Sequence, residues 1–252
     1  MSQAGDFDYE RFGSGYGRYR QPDPVIAALV REALGDARLV VNVGAGAGSY
    51  EPEDCDVTAV EPSAMMRSQR RAERPAVDAV AEHLPFNDNS FDAAMASVTV
   101  HQWLDQDAGL RELRRVARDR VVVLTFDPEA LERFWLARYA PELIAAERAR
   151  YPTIAHITDV LGGRTSVIDV PIPHDCTDGF TEAFYGRPEE FLDANVRGSQ
   201  SAWGFVDDDV EATSVARLSE ELASGEWERR YGDLRTQPFY VGSLRLIVGD
   251  RG

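Results

Sequence analysis

The sequence predicts a doubly wound α/β fold on a mostly parallel sheet. Short apolar, β-branched runs alternate with helix-period segments through residue 128. The first run, "LVVNV" (39–43), ends on the glycine-spaced turn "GAGAG" (44–48), and the second, "DVTAVEPS" (56–63), ends on a carboxylate, Glu61. In such sheets ligands sit at the carboxyl ends of the strands, where these two features lie.

The elements follow in order. "PDPVIAALVREAL" (22–34) repeats apolar residues at helical spacing behind an N-terminal proline and reads as a helix. The runs at 39–43 and 56–60 read as strands buried on both faces. Pro62 and Ser63 then open a helix through "AMMRSQRRA". "AVDAVAEHLPFNDNS" is a short third strand and loop, "FDAAMASVTV" a fourth strand, "DAGLRELRRVARD" an amphipathic helix and "RVVVLTFDP" a fifth strand. Beyond Pro128, "EALERFWLARYAPELIAAERARYP" reads as one aromatic-rich helix, and "HITDVLGG" as a short helix ending in glycine. "RTSVIDVPIPHDC" and "GSLRLIVGD" read as further strands, with helical segments between them. Residues 129–165 and 176–238 are therefore expected to cover the open end of the sheet as a lid.

Composition narrows the function classes. The chain has 252 residues and a formal charge of −16, from 43 acidic and 27 basic side chains, which opposes binding to a phosphate backbone. All 27 basic residues are arginine, so Schiff-base chemistry and the P-loop lysine are excluded. Cys55 and Cys176 lie far apart, and His83, His101, His156 and His174 show no metal-binding spacing. No metal site is expected. No apolar run approaches the roughly eighteen residues of a membrane span, and the polar, acid-bearing first twenty residues lack the look of a targeting segment. A cytoplasmic location, no membrane partner and no nucleic-acid partner are expected.

The turn reads G-x-G-x-G, not the G-x-G-x-x-G of dinucleotide sites, which would place a glycine at Ser49. Its missing side chains let a ligand approach the backbone, and Glu61 has the chemistry to accept hydrogen bonds from adjacent ribose hydroxyls. Five motifs stand in order: "VVNVGAGAG", "VTAVEPS", "AEHLPFNDNSFD", "ASVTVHQW" and "ELRRVARDRVVVLTFDP". On these the chain resembles class I S-adenosylmethionine-dependent methyltransferases of the UbiE-like, small-molecule group, closely over 39–128 and by architecture elsewhere.

The resemblance implies a seven-stranded, mostly parallel Rossmann-like sheet with helical lid insertions. It implies a cap segment and first helix at 1–38, a cofactor-binding core at 39–128, and remaining strands with a helical lid at 129–252, in one domain. S-adenosyl-L-methionine is the implied cofactor. Gly44, Gly46 and Gly48 would border its methionine part, Glu61 with Pro62 its ribose, Met65 or Met66 and the pair Ala81 and Glu82 its adenine, and Ser97 its sulfonium. Tyr16 and Arg20, in "SGYGRYRQP", would cover it and pair with its carboxylate. Three departures stand out. Asn42 replaces an acid before the first glycine, and Val80 replaces an aspartate toward the adenine. Most members also run a helix of about three turns after the glycine turn, where "SYEPEDCD" allows at most one turn. Tyr50 or the N-terminal segment is expected to fill the vacated flank.

Methyl transfer needs an aligned nucleophile, exclusion of water and, for some acceptors, removal of a proton. His101, just past the fourth strand, suits that proton transfer. Trp103, Trp135 and Tyr139 are candidate walls of a substrate pocket; His156, His174, Asp175 and Asp178 lie in the lid. The function expected is methyl transfer to a small molecule, oxygen first among acceptors and nitrogen or carbon next, in a specialised metabolite and by a monomer or homodimer. The alternative is a cofactor-binding, non-methylating protein on the same fold, a cyclase or a regulator.

Overall fold

A computed structural model describes residues 19–251. Its centre is a seven-stranded sheet. In chain order its strands are β1 (Leu39–Val43), β2 (Asp56–Val60), β3 (Ala76–Val77), β4 (Phe91–Ser97), β5 (Ala117–Phe126), β6 (Arg164–Asp169) and β9 (Leu244–Asp250). They are arranged β3-β2-β1-β4-β5-β9-β6, parallel except for β9, which runs antiparallel between β5 and β6. A two-stranded sheet, β7 (Ile172–Pro173) with β8 (Phe239–Tyr240), lies outside it. The strand order reverses between β1 and β4, which pair directly, so their carboxyl ends open a crevice for a ligand.

The helices are set by local chemistry. In α1 (Pro24–Ala33), Asp23 Oδ1 accepts the N–H groups of Val25 and Ile26 while Pro24 occupies the first turn. Ser63 caps α2 (Ala64–Ser68) and Asp105 caps α3 (Gln106–Val116) in the same way. α2 is shorter than expected, five residues, and β3 is a two-residue strand. The long helix expected after Pro128 is broken: 3-10 turns at Leu131–Arg133 and Trp135–Arg138 precede α4 (Pro141–Arg150). Pro141 is the cause, since its ring clashes with the turn before it and it lacks a donor. α5 (Ile154–Leu161) stops at Gly162 as expected. Later come α6 (Ala194–Gly198), α7 (Asp208–Ala223) and α8 (Glu226–Tyr231).

Between β1 and β2 there is no helix at all. Parallel strands need a crossover of about a dozen residues or more, usually helical; here twelve residues in turns do the work. The space beneath the glycine turn is filled by an ion pair. Arg70 Nη2 donates to both oxygens of Glu51 at 2.8 and 2.9 Å, and Arg70 Nη1 donates to the Gly46 carbonyl at 3.2 Å. Both side chains are buried, at 2% and 4% exposure. Asn42 Nδ2 adds a third contact, donating to Glu51 at 3.1 Å.

The outer flank is filled by Tyr50, buried and in the left-handed region at φ 61°. Its hydroxyl donates to Asp178 Oδ2 at 2.8 Å, while Arg20 donates to Asp178 Oδ1. Gly179 N–H also donates to the Tyr19 carbonyl at 2.8 Å, tying the start of the described chain to the lid.

Removing one partner of a buried ion pair strands the other charge, at about 3–5 kcal/mol. Glu51→Gln is therefore expected to lower stability by about 3 kcal/mol in urea unfolding. Replacing both partners, Glu51→Leu with Arg70→Met, is expected to recover most of that loss.

Candidate functional site

The site is built where β1, β2 and β4 end. Val43 delivers the chain into Gly44, whose N–H, like that of Ala45, donates to the Val60 carbonyl at 2.9 Å, locking the turn to β2. Gly44 has φ 69°, and a Cβ there would stand 2.1 Å from Thr99 Oγ1, so only glycine fits. Gly46, at φ 51°, presents its N–H to Glu61 Oε2 at 2.8 Å. Glu61 Oε1 accepts from Ser63 N–H at 2.9 Å. Burial raises the Glu61 pKa above the usual carboxylate range, and those two N–H bonds oppose the rise. Each carboxylate oxygen keeps a second lone pair for a ligand.

These groups line a cleft of about 620 Å³. On its floor are Gly44, Ala45 and Gly46, with Glu61 and Met66 at one side and Ser97, Val98 and Thr99 at the other. Arg20, Tyr50 and Asp178 close the far wall. Asn42 also lines it; its Oδ1 is buried and has no hydrogen-bond partner among the described residues. Val98 has φ 52°, a strained conformation for a β-branched residue, held by its N–H bond to the Leu124 carbonyl at 2.7 Å.

A second cavity, about 480 Å³, adjoins the first through Arg20, Val98 and Gln102, which line both. The rest of its wall comes from His101, from Phe126 at the end of β5, and from the lid: Leu131, Glu147, Tyr151, Phe180, Thr181, Glu182, Gln200 and Ser201. His101 is buried against Tyr151, ring centres 4.2 Å apart. Desolvation, then the charges of Arg150 and Arg20, hold its pKa well below the usual histidine range, so the ring is neutral at pH 7. Gln102 Nε2 lies 3.4 Å from His101 Nε2, which leaves the ring proton on Nδ1, a buried atom with no partner among the described residues. Burial raises the Glu182 carboxyl to about 7, although Ser243 donates to it through N–H and hydroxyl, both at 2.8 Å.

The structure gathers Arg20, Gly44, Gly46, Glu61, Met66 and Ser97 around the first cleft. It places the other sequence candidates elsewhere. Tyr16 lies outside the described residues. Gly48 is one step beyond the cleft, against Arg70 and Glu51. Pro62 is off the lining, its carbonyl accepting from Arg67 at 2.8 Å. Ala81 is packed into the core with Val41, Val43 and Val60, and Glu82 accepts the Asp105 N–H at 3.1 Å, steadying the start of α3.

Trp103, Trp135 and Tyr139 line neither cavity. Trp103 packs on Gly109 of α3, the one residue type that leaves room for its ring. Trp135 sits among Phe134, Phe191 and Trp227, its indole N–H donating to the Tyr185 carbonyl at 2.9 Å. The Tyr139 hydroxyl donates to Glu221 at 2.8 Å. Large aromatics bury the most area in a core: Trp135 and Tyr139 do so among the lid residues, and Trp103 packs against the α3 side of the sheet. His156 pairs with Asp107 on an exposed face, and His174 packs edge-on against Tyr185.

Sequence reasoning missed Thr99, Glu147, Tyr151, Thr181, Glu182 and Gln200 as cavity residues. Only the first carried a signal, its position just past β4; the others are brought in by lid packing over long sequence separations.

A family model described as a methyltransferase domain matches residues 41–125. No curated protein matches the sequence. A structure from Anabaena variabilis, described as a methyltransferase from an antibiotic biosynthesis pathway, is 29% identical, with TM-score 0.85, covering 92% of this chain and 99% of that one. An S-adenosylmethionine-dependent methyltransferase from Thermotoga maritima is 17% identical, with TM-score 0.60 over 97% of this chain and 98% of its own. The geranyl diphosphate C-methyltransferase of Streptomyces coelicolor A3(2), solved with S-adenosyl-L-homocysteine, is 14% identical, with TM-score 0.53 over 90% and 78%. The last two show likeness of fold alone. Glycine turn, strand order and matched region agree: residues 41–125 match a methyltransferase domain, and the chain has the fold of S-adenosylmethionine-dependent methyltransferases.

Proposed function

We propose that the protein transfers the methyl group of S-adenosylmethionine to a small molecule held in the second cavity. The observation that carries this reading is the adjacency of two cavities, one lined by the glycine turn and Glu61, the other by the lid, with Arg20, Val98 and Gln102 lining both.

The cleft has the donor set the cofactor needs. Glu61 accepts the ribose hydroxyls through its remaining lone pairs, and Met66 packs on the adenine side. The Asn42 Oδ1, without a partner among the described residues, accepts from the ammonium of the methionine part, taking the place of the family's acid with a neutral oxygen. Arg20, positioned by Asp178, faces the carboxylate end. Bound there, the cofactor supplies an electrophilic methyl carbon. Ser97 and the strained Val98 set the wall against which that carbon is presented.

On the other side the lid excludes water and holds the acceptor in line, which by itself supplies a large part of such an acceleration. His101, uncharged, does not repel the cationic sulfonium. Its Nε2 lone pair, held only by a long contact to Gln102, is the atom that receives a proton from the acceptor. A non-methylating protein on this fold would bind the cofactor and release no demethylated product, so product formation separates the two readings.

Three outcomes are expected. Glu61→Ala weakens S-adenosyl-L-homocysteine binding in calorimetry on the order of a hundredfold, about 3 kcal/mol, as charge-assisted hydrogen bonds are lost. Protonation removes the Glu61 acceptor, so wild-type affinity is constant at neutral pH and falls on acidification; the fall begins above the usual glutamate range because the folded pKa is raised, and Glu61→Gln abolishes it. His101→Ala lowers kcat roughly a hundredfold or more and leaves S-adenosyl-L-homocysteine affinity unchanged.

A further inference from the structure

The second cavity holds a polar feature that methyl transfer by itself does not use. Its wall includes Thr181 and Gln200, buried at 8% and 4% exposure. They come from two separate lid segments. Thr181 opens the 3-10 turn Thr181–Phe184, and Gln200 stands between α6 and the 3-10 turn Ser201–Phe205. The Gln200 N–H donates to the Arg197 carbonyl at 3.0 Å, and its carbonyl accepts the Trp203 N–H at 3.2 Å. A backbone held this way restricts the rotamers open to the side chain.

One contact orients the side-chain amide: the Thr181 hydroxyl donates to Gln200 Oε1 at 3.1 Å. Gln200 Nε2 is left buried and without a partner among the described residues. A buried donor left unpaired is costly. Packing alone does not call for it, since an apolar side chain of similar length fills the space without that cost. The donor is matched when an acceptor oxygen enters the cavity. The apolar wall says what carries that oxygen. Phe126 meets Tyr151 and Phe180 with ring centres 5.6 and 5.2 Å apart, and Val98 and Leu131 add apolar surface. Clustered aromatic faces favour a ring among them. An amide N–H is a neutral donor, the partner of a carbonyl oxygen rather than of an anion, which takes charge-assisted donors.

We infer that the ligand of the second cavity is an aromatic molecule bearing a carbonyl oxygen, and that Gln200, oriented by Thr181, is the residue that selects it. This rests on the methyltransferase reading above and names the class of its acceptor. The ring lies among Phe126, Tyr151 and Phe180, the carbonyl accepts from Gln200 Nε2, and His101 is left to the reacting group. Recognition and proton transfer are thus divided between two buried side chains of one cavity.

The test uses 4-hydroxyacetophenone and 4-ethylphenol, which differ at one carbon, a carbonyl in the first and a methylene in the second. Both are titrated into the full chain with and without S-adenosyl-L-homocysteine. The ketone is expected to bind about tenfold tighter, the margin of one buried hydrogen bond to a donor otherwise unpaired. Gln200→Met keeps the length of the side chain and removes the donor. It is expected to bring the ratio to within about twofold by weakening the ketone alone. Thr181→Val leaves the amide in place without its orienting contact and is expected to lower the ratio several-fold; it decides the matter should Gln200→Met not fold. A role in packing alone weakens both probes alike and leaves the ratio where it was. Equal binding of the two probes, a preference for 4-ethylphenol, binding of neither at millimolar concentration, or a ratio unchanged in the variants would overturn the inference. Titration of S-adenosyl-L-homocysteine alone separates the cases: if it binds while the ketone preference is absent, only the acceptor class is wrong, and if it does not bind, the methyltransferase reading itself fails.

Discussion

The pair of buried charges beneath the glycine turn is the constraint from which the rest of the site follows. A crossover of twelve residues cannot carry both a ligand-binding turn and a helix of useful length, and this chain keeps the turn. The turn then has no helix to rest on. Glu51 and Arg70 supply that support, with Asn42 holding the carboxylate from β1 and the Gly46 carbonyl held by the guanidinium. A buried ion pair contributes little net stability compared with apolar packing, but it fixes geometry, because either charge left alone is expensive. Here the geometry fixed is the curvature of the turn, and through Gly46 N–H the position of Glu61.

The same economy shapes the outer wall. With no helix beside the turn, Tyr50 swings into the space, and its hydroxyl meets Asp178 from the lid. Asp178 also binds Arg20, while Asp23 caps α1 and accepts the Thr177 N–H at 3.2 Å. Segment 19–23, the glycine turn and lid loop 176–179 thus share one polar junction at one end of the first cleft. The sheet supplies the first cleft and the lid supplies most of the second cavity's wall, and the two meet at Val98, whose backbone is strained.

Much of the cofactor side was legible in the sequence. Alternating strands and helices fixed the architecture, and glycine spacing with Glu61 and Ser97 marked strand ends that the structure brings around one cleft. Tyr50 or the N-terminal segment was expected on the vacated flank because eight residues and a proline leave it empty; Tyr50 is buried there, and Arg20 shares its partner Asp178. The lid-lined cavity was not legible. Trp103, Trp135 and Tyr139 drew attention as large aromatics, yet size favours burial in the lid core as readily as exposure to a ligand. Glu182 and Gln200 are of residue types that are mostly exposed, and the contacts with Ser243 and Thr181, 61 and 19 residues away, in which they are buried carry no local sequence signal. Proline set the remaining differences, breaking the helix expected after residue 128 into shorter pieces.

The central claim is that a glycine turn without its helix still seats S-adenosylmethionine against Glu61. A crystal structure of the protein with S-adenosyl-L-homocysteine tests it most directly. The account predicts both ribose hydroxyls within hydrogen-bond distance of the Glu61 carboxylate, the amino group at Asn42 and the sulfur beside Ser97 and Val98. A nucleoside bound elsewhere, or ribose hydroxyls directed away from Glu61, would contradict it.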